Sequence, residues 1–177
     1  VPFRATGLFA QDHFVTIAGI PAESYCMSQQ ANITVFDGAA TPVTHTLVGE
    51  SIERQPDGTV VARWKESLAG VPDYAQIRLT MTKRKLSSGV FRVTSRAEVP
   101  VMEAINAQNS SGYTAPPKVA YTDTVETVGY FHERGIVTGR RLARQLAINV
   151  MGSISTSVAP VTSGPAPELF DQLIAVT

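Results

Sequence analysis

Hydrophobic and polar positions alternate with a period of two in two consecutive stretches of the chain. The first is Gln76-Ile77-Arg78-Leu79-Thr80-Met81-Thr82-Lys83-Arg84, the second Phe91-Arg92-Val93-Thr94-Ser95-Arg96-Ala97-Glu98-Val99. Successive side chains of a strand point to opposite faces, so Ile77, Leu79 and Met81 share a side with Phe91, Val93 and Ala97. The other side carries Arg78, Thr80, Thr82, Arg84, Arg92, Thr94 and Arg96. The turn residues Ser87-Ser88-Gly89 join the two strands.

More strands are predicted on either side. Ile33-Thr34-Val35-Phe36 and Val43-Thr44-His45-Thr46-Leu47-Val48 flank Asp37-Gly38, a hairpin signal with a longer loop than the two-residue ideal. Pro56-Asp57-Gly58 marks a turn before a strand at 59–64, and residues 118–131 read as the last strand. Between them, residues 103–117 form a long loop closed by two prolines, a length that usually signals function or mobility.

The pattern then changes to a helical one. Thr138 is placed as the N-cap of a helix over about 139–151, with Leu142, Ala143, Leu146, Ala147, Val150 and Met151 on one stripe. Arg140 and Arg141 lie in the first turn, where the helix dipole disfavours cations; the pair either has a partner or is simply exposed and tolerated. Residues 168–174 form a short amphipathic segment, too short to be stable alone in water, so it should dock on something. Strands first and helices last is the α+β pattern of a sheet with helices on one face. Three parts are expected: an N-terminal extension over 1–30, a main domain over 31–163 and a tail over 164–177. Met27 would be a natural start inside that extension.

Composition narrows the function. The chain has 177 residues, 44% hydrophobic and 17% charged, enough apolar material for a core but little surface charge. Fifteen Lys and Arg balance fifteen Asp and Glu, so no global basic field announces a nucleic acid. The placement is uneven, however. Cations collect between Arg78 and Arg96 with no acid among them, while acids gather in 50–66 and 98–133. The one cysteine, Cys26, excludes an intrachain disulfide and a cysteine-based zinc site. No apolar run is long enough to span a membrane, and the first residues lack a secretory pattern, so a soluble chain made in a reducing compartment is expected.

Catalysis finds little support. His13, His45 and His132 are far apart with no metal-ligand spacing, and the glycines fit turns rather than a phosphate loop. No enzyme, cofactor or metal is expected. RNA fits better: arginines for phosphates and threonine hydroxyls for sugars and bases, on one face. In the last strand Val119-Ala120-Tyr121-Thr122-Asp123, Tyr121 could stack on an unpaired base and Asp123 accept from a base amino group, provided that strand lies in register with the lattice.

From about residue 32 to 163 the chain resembles the coat proteins of the single-stranded RNA bacteriophages, the levivirus-type family. The resemblance is carried by Ala62-Arg63-Trp64, the Arg/Thr strand pair, Glu98-Val99-Pro100, Ala120-Tyr121-Thr122-Asp123 and the terminal helix. The Ala-Tyr-x-Asp run is most similar to the Q-beta-like branch. The resemblance implies an N-terminal β-hairpin and five-stranded antiparallel sheet followed by two C-terminal helices, in an interlocked homodimer. Such dimers build icosahedral shells, usually of T=3 type, in the bacterial host cytoplasm. The inner sheet face binds genomic RNA, and a specific hairpin bound there serves packaging and translational repression. Arg78, Thr80, Thr82, Arg84, Arg92, Thr94, Arg96, Tyr121 and Asp123 are the RNA-binding residues it implies. The loop over 101–117 would cluster at the five-fold and quasi-six-fold axes. A bulge near Val125-Glu126 would be needed to keep Glu126 off the helix-packed side. A shell protein with only nonspecific RNA contacts, or a small non-viral RNA-binding regulator, are the alternatives.

Overall fold

The structure, a computed structural model, describes residues 29–103 and 118–177. Residues 1–28 of the expected N-terminal extension, with Cys26 and Met27, and most of the long loop therefore lie outside the described residues. Among the described residues six strands form one antiparallel sheet in sequence order. They are β1 (Ile33–Phe36), β2 (Thr44–Arg54), β3 (Val60–Glu66), β4 (Arg78–Lys85), β5 (Val90–Met102) and β6 (Val119–His132). Helix α1 (Val137–Met151) follows, and a short α2 (Pro165–Pro167) runs into a π turn over Glu168–Gln172. The hairpin β1–β2 continues the sheet at its edge. Its loop is closed by Asp37, whose carboxylate accepts from the backbone N–H groups of Ala39 (3.2 Å) and Val43 (2.9 Å).

The alternation sorts the sheet into two faces. Leu47, Ala62, Trp64, Met81 and Val93 are buried on one of them, and Leu169, Phe170 and Val176 of the tail complete their cluster. The tail thus docks on its own sheet, contributing three apolar side chains worth about 1.5–3 kcal/mol each when buried. Gly129 makes room for it. A Cβ there would meet the Phe131 ring at 2.6 Å and the Phe170 ring at 3.2 Å, and those two rings pack edge to face, 6.2 Å apart. Trp64 is fully buried and donates its indole N–H to the Ala31 carbonyl (3.0 Å), which ties the start of the sheet to its centre.

One buried carboxylate fixes the tail. Asp171 is 0% exposed and accepts from Arg144 (2.8 and 3.0 Å) and Arg141 (3.2 Å), while its backbone carbonyl accepts from Arg140 (2.7 Å). Burial pushes the Asp171 carboxyl up, but the hydrogen bonds and charges of Arg144 and Arg141 outweigh it and hold it below the ordinary carboxylate value. Of the two readings of Arg140 and Arg141, the partnered one holds, with Asp171 as the partner. Thr138 is not the N-cap; Ile136 holds that position, without a side-chain cap, and the helix starts one residue before Thr138. The apolar stripe of α1 is not covered by its own chain: Leu142, Leu146, Val150 and Met151 are all exposed.

At the other edge His45 joins β2 to β3. Its Nδ1 lies 2.8 Å from the carboxylate of buried Glu66 and its Nε2 3.7 Å from Asp37. The hydrogen bond to Glu66 raises the imidazole pKa against the opposing effect of burial.

Two outcomes follow from these contacts. Asp171→Ala leaves two arginines facing an empty apolar site and is expected to destabilise the fold by about 3–5 kcal/mol in denaturant titrations at fixed protein concentration. Because His45 has a folded pKa above its unfolded value, its contribution is complete below about pH 6.5 and lost as pH rises through the folded pKa. Protection factors of the β1 and β2 amides, which remove the intrinsic base catalysis of exchange, should therefore fall across that window in the wild type, and a His45→Gln variant should show no such step.

Candidate nucleic-acid interface

Register determines what stands on the face opposite the core. Between β4 and β5 the directly opposed pairs include Arg78–Glu98, Thr80–Arg96, Thr82–Thr94 and Arg84–Arg92. The arginines and threonines named from the sequence pattern are therefore brought together on one surface. β3 extends it with Arg63 opposite Thr80 and Lys65 opposite Arg78, both legible from the alternation with Ala62, Trp64 and Glu66. The Thr82 and Thr94 hydroxyls hydrogen-bond across the strands at 2.5 Å.

Tyr121 and Asp123 are not part of this surface. β5 and β6 pair without interruption from Val90–His132 to Val101–Tyr121, and the one register shift falls at Val101/Met102, beyond Tyr121. Tyr121 thus opposes Val101, and Asp123 opposes Val99, on the side that carries Ala97 and Val93. The bulge expected at Val125-Glu126 is absent. The strand instead sends Thr122, Thr124, Glu126, Val128 and Tyr130 to the arginine face, where Glu126 opposes Arg96 and Tyr130 opposes Arg92.

Acids from neighbouring strands, from the turns at Asp57 and Asp73 and from β5 itself meet these arginines. Arg96 pairs with Glu98 (2.6 Å), Arg63 with Glu53 (2.6 Å) and Arg78 with Asp73 (3.2 Å). Arg84 lies 3.4 Å from Asp57 and Arg92 3.7 Å from Glu126. Lys65 reaches both Asp73 (2.5 Å) and Glu50 (3.5 Å), and its hydrogen bond holds the Asp73 carboxyl below its ordinary value. The face is consequently polar and nearly charge-balanced, not a basic field. A hollow of about 260 Å³ opens on it, lined by Tyr74, Arg78, Arg96, Glu98, Thr122 and Thr124 among others.

Such a surface offers donors and acceptors to a polar chain but no catalytic constellation. Among the described residues no group of three or more His, Cys, Asp or Glu is placed to hold a metal ion. No helix among them is long and apolar enough to cross a membrane.

The family profile described as levivirus coat protein matches residues 28–165, well over half of the chain. The chain belongs to the levivirus coat protein family. Solved structures agree. The coat protein is similar to the virus-like particle of bacteriophage EMS014, with 29% identity, 83% of this chain and 98% of that one covered, and a TM-score of 0.60. The virus-like particle of bacteriophage ESE058 shares the fold at 23% identity, covering 84% and 99%, with a TM-score of 0.59. That of Beihai levi-like virus 21 does so at 24% identity, covering 76% and 99%, with a TM-score of 0.55. No curated protein matches the chain. The coat protein is a structural protein of an RNA phage, and its place is the virion capsid.

Proposed function

We propose that this coat protein forms homodimers that assemble into an icosahedral shell, of T=3 type, and that the arginine and threonine face binds single-stranded genomic RNA inside it. The observation that carries the reading is the division of one sheet into an apolar face on which the tail packs and a polar face left open. On that open face Arg78, Thr80, Thr82, Arg84, Arg92, Thr94 and Arg96 stand together. A specific hairpin read there would couple packaging to translational repression.

Two uncovered features support the dimer. β6 is a 14-residue edge strand exposed along most of its length, which would template aggregation unless paired. The exposed stripe of α1 adjoins a groove of about 240 Å³ lined by Ser95, Thr127, Ala143, Ala147, Ile148 and Met151. Joining two sheets along β6 while α1 of each copy crosses the other's sheet would cover both.

The ion pairs favour a second reading, a shell with only nonspecific RNA contacts. Cations already matched by carboxylates yield less to phosphates, and a phosphate ladder is blind to sequence. Affinity measurements with a hairpin from the cognate genome and a scrambled control separate the two. A hairpin preference supports specific readout, and equal affinities support the shell alone.

Leu146→Glu with Val150→Glu is expected to abolish dimers and shells in sedimentation velocity, because both positions would be desolvated under the partner. Replacing Arg78, Arg92 and Arg96 with Ala should leave dimers intact while lowering the salt slope of RNA binding by about 2, at ~0.7 per phosphate contact on a single strand. Glu126→Gln should raise RNA affinity by freeing Arg92.

A further inference from the structure

We propose that Tyr130, Arg92 and Arg84 form a nucleotide subsite at one end of the polar face, with Tyr130 stacking on a base and the two arginines holding the adjoining phosphate. This rests on the reading of that face as the RNA surface. Tyr130 is 62% exposed, lies on the arginine face and directly opposes Arg92, which in turn directly opposes Arg84 on the next strand.

Two like charges placed directly across a strand pair repel, and an anion between them relieves this. The carboxylates nearby do so poorly. Asp57 lies 3.4 Å from Arg84 and Glu126 3.7 Å from Arg92, against 2.6 Å for the Arg96–Glu98 and Arg63–Glu53 pairs. The Nε of Arg92 is buried and has no acceptor. Both side chains are otherwise about half exposed, and each guanidinium presents a planar fork of donors that two oxygens of a tetrahedral phosphate can match. An aromatic ring beside a phosphate-binding arginine is the combination by which proteins hold single-stranded nucleic acid, since every base offers a π-face. Tyr121 cannot serve here, because its register sets it on the other side of the sheet.

The test uses the full-length dimeric protein and a fluorescein-labelled, mixed-sequence 12-nucleotide single-stranded RNA. Tyr130→Leu should weaken binding about tenfold, the loss of one base–aromatic stack. Tyr130→Phe, which keeps the ring, should stay within about twofold of the wild type by the same reasoning, as should Tyr121→Leu. Photocrosslinking the wild type to RNA that carries 5-bromouridine reads the contact without any substitution, and the adduct should map to Tyr130. Unchanged binding by Tyr130→Leu, or an adduct on Tyr121 instead, would overturn the subsite while leaving RNA binding in place. Absence of RNA binding by the wild type would overturn the broader reading and the subsite with it.

Discussion

A sheet with one apolar face cannot remain monolayered in water, and the covering of that face is the constraint on which the rest of this coat protein depends. Trp64, Met81 and Val93 supply the apolar surface, and Leu169, Phe170 and Val176 close it. Those last residues lie beyond the stretch that matches the family profile, which ends at residue 165. Their position is secured by a charge, not by helix propensity: Asp171 is fully buried and engaged by three successive arginines of α1. The arrangement binds tail to helix and tail to sheet, so that α1 is oriented by a contact far along the chain. The helix's own apolar stripe stays open and is available to a second copy.

Covering one face leaves the other free to be polar. Its chemistry is more balanced than the run of cations in the sequence implies, because antiparallel pairing places Glu53, Glu98 and Glu126, and the adjoining turns place Asp57 and Asp73, among the arginines. Cross-strand ion pairs at such exposed sites contribute little stability, roughly 0–1 kcal/mol each. Their larger effect is to prevent self-repulsion of a cationic surface and to hold guanidinium groups in fixed positions. Under the proposed reading, RNA would compete most readily at the loosest of these arginine pairs, those of Arg84 and Arg92.

Much of this was legible in the sequence. The period-two pattern located β4 and β5 and separated their faces correctly, since parity alone decides which residues share a side. The helix was recognised from its stripe, whereas the misplaced cations Arg140 and Arg141 left a partner and a tolerated exposed pair equally open. What parity cannot provide is the phase between strands that are joined by a long connection. Nothing in residues 118–131 alone specifies whether Tyr121 or Thr122 faces the arginines, and that register is set by the pairing of β5 with β6. Nor could the tail be assigned to its own sheet: a short amphipathic segment reveals that it docks, and only the buried Asp171 shows where. Tyr130 was accessible by the same parity argument once the phase was known.

The central claim is that the two faces have separate tasks, the apolar one holding subunits together and the polar one meeting the genome. A cryo-electron microscopy reconstruction of shells purified from an expressing cell tests it most directly. The account predicts that the face bearing Arg78, Arg92 and Arg96 lines the interior against RNA density, with residues 169–176 seated on the opposite face. A shell in which that arginine face points outward, or is buried against another subunit, would contradict it.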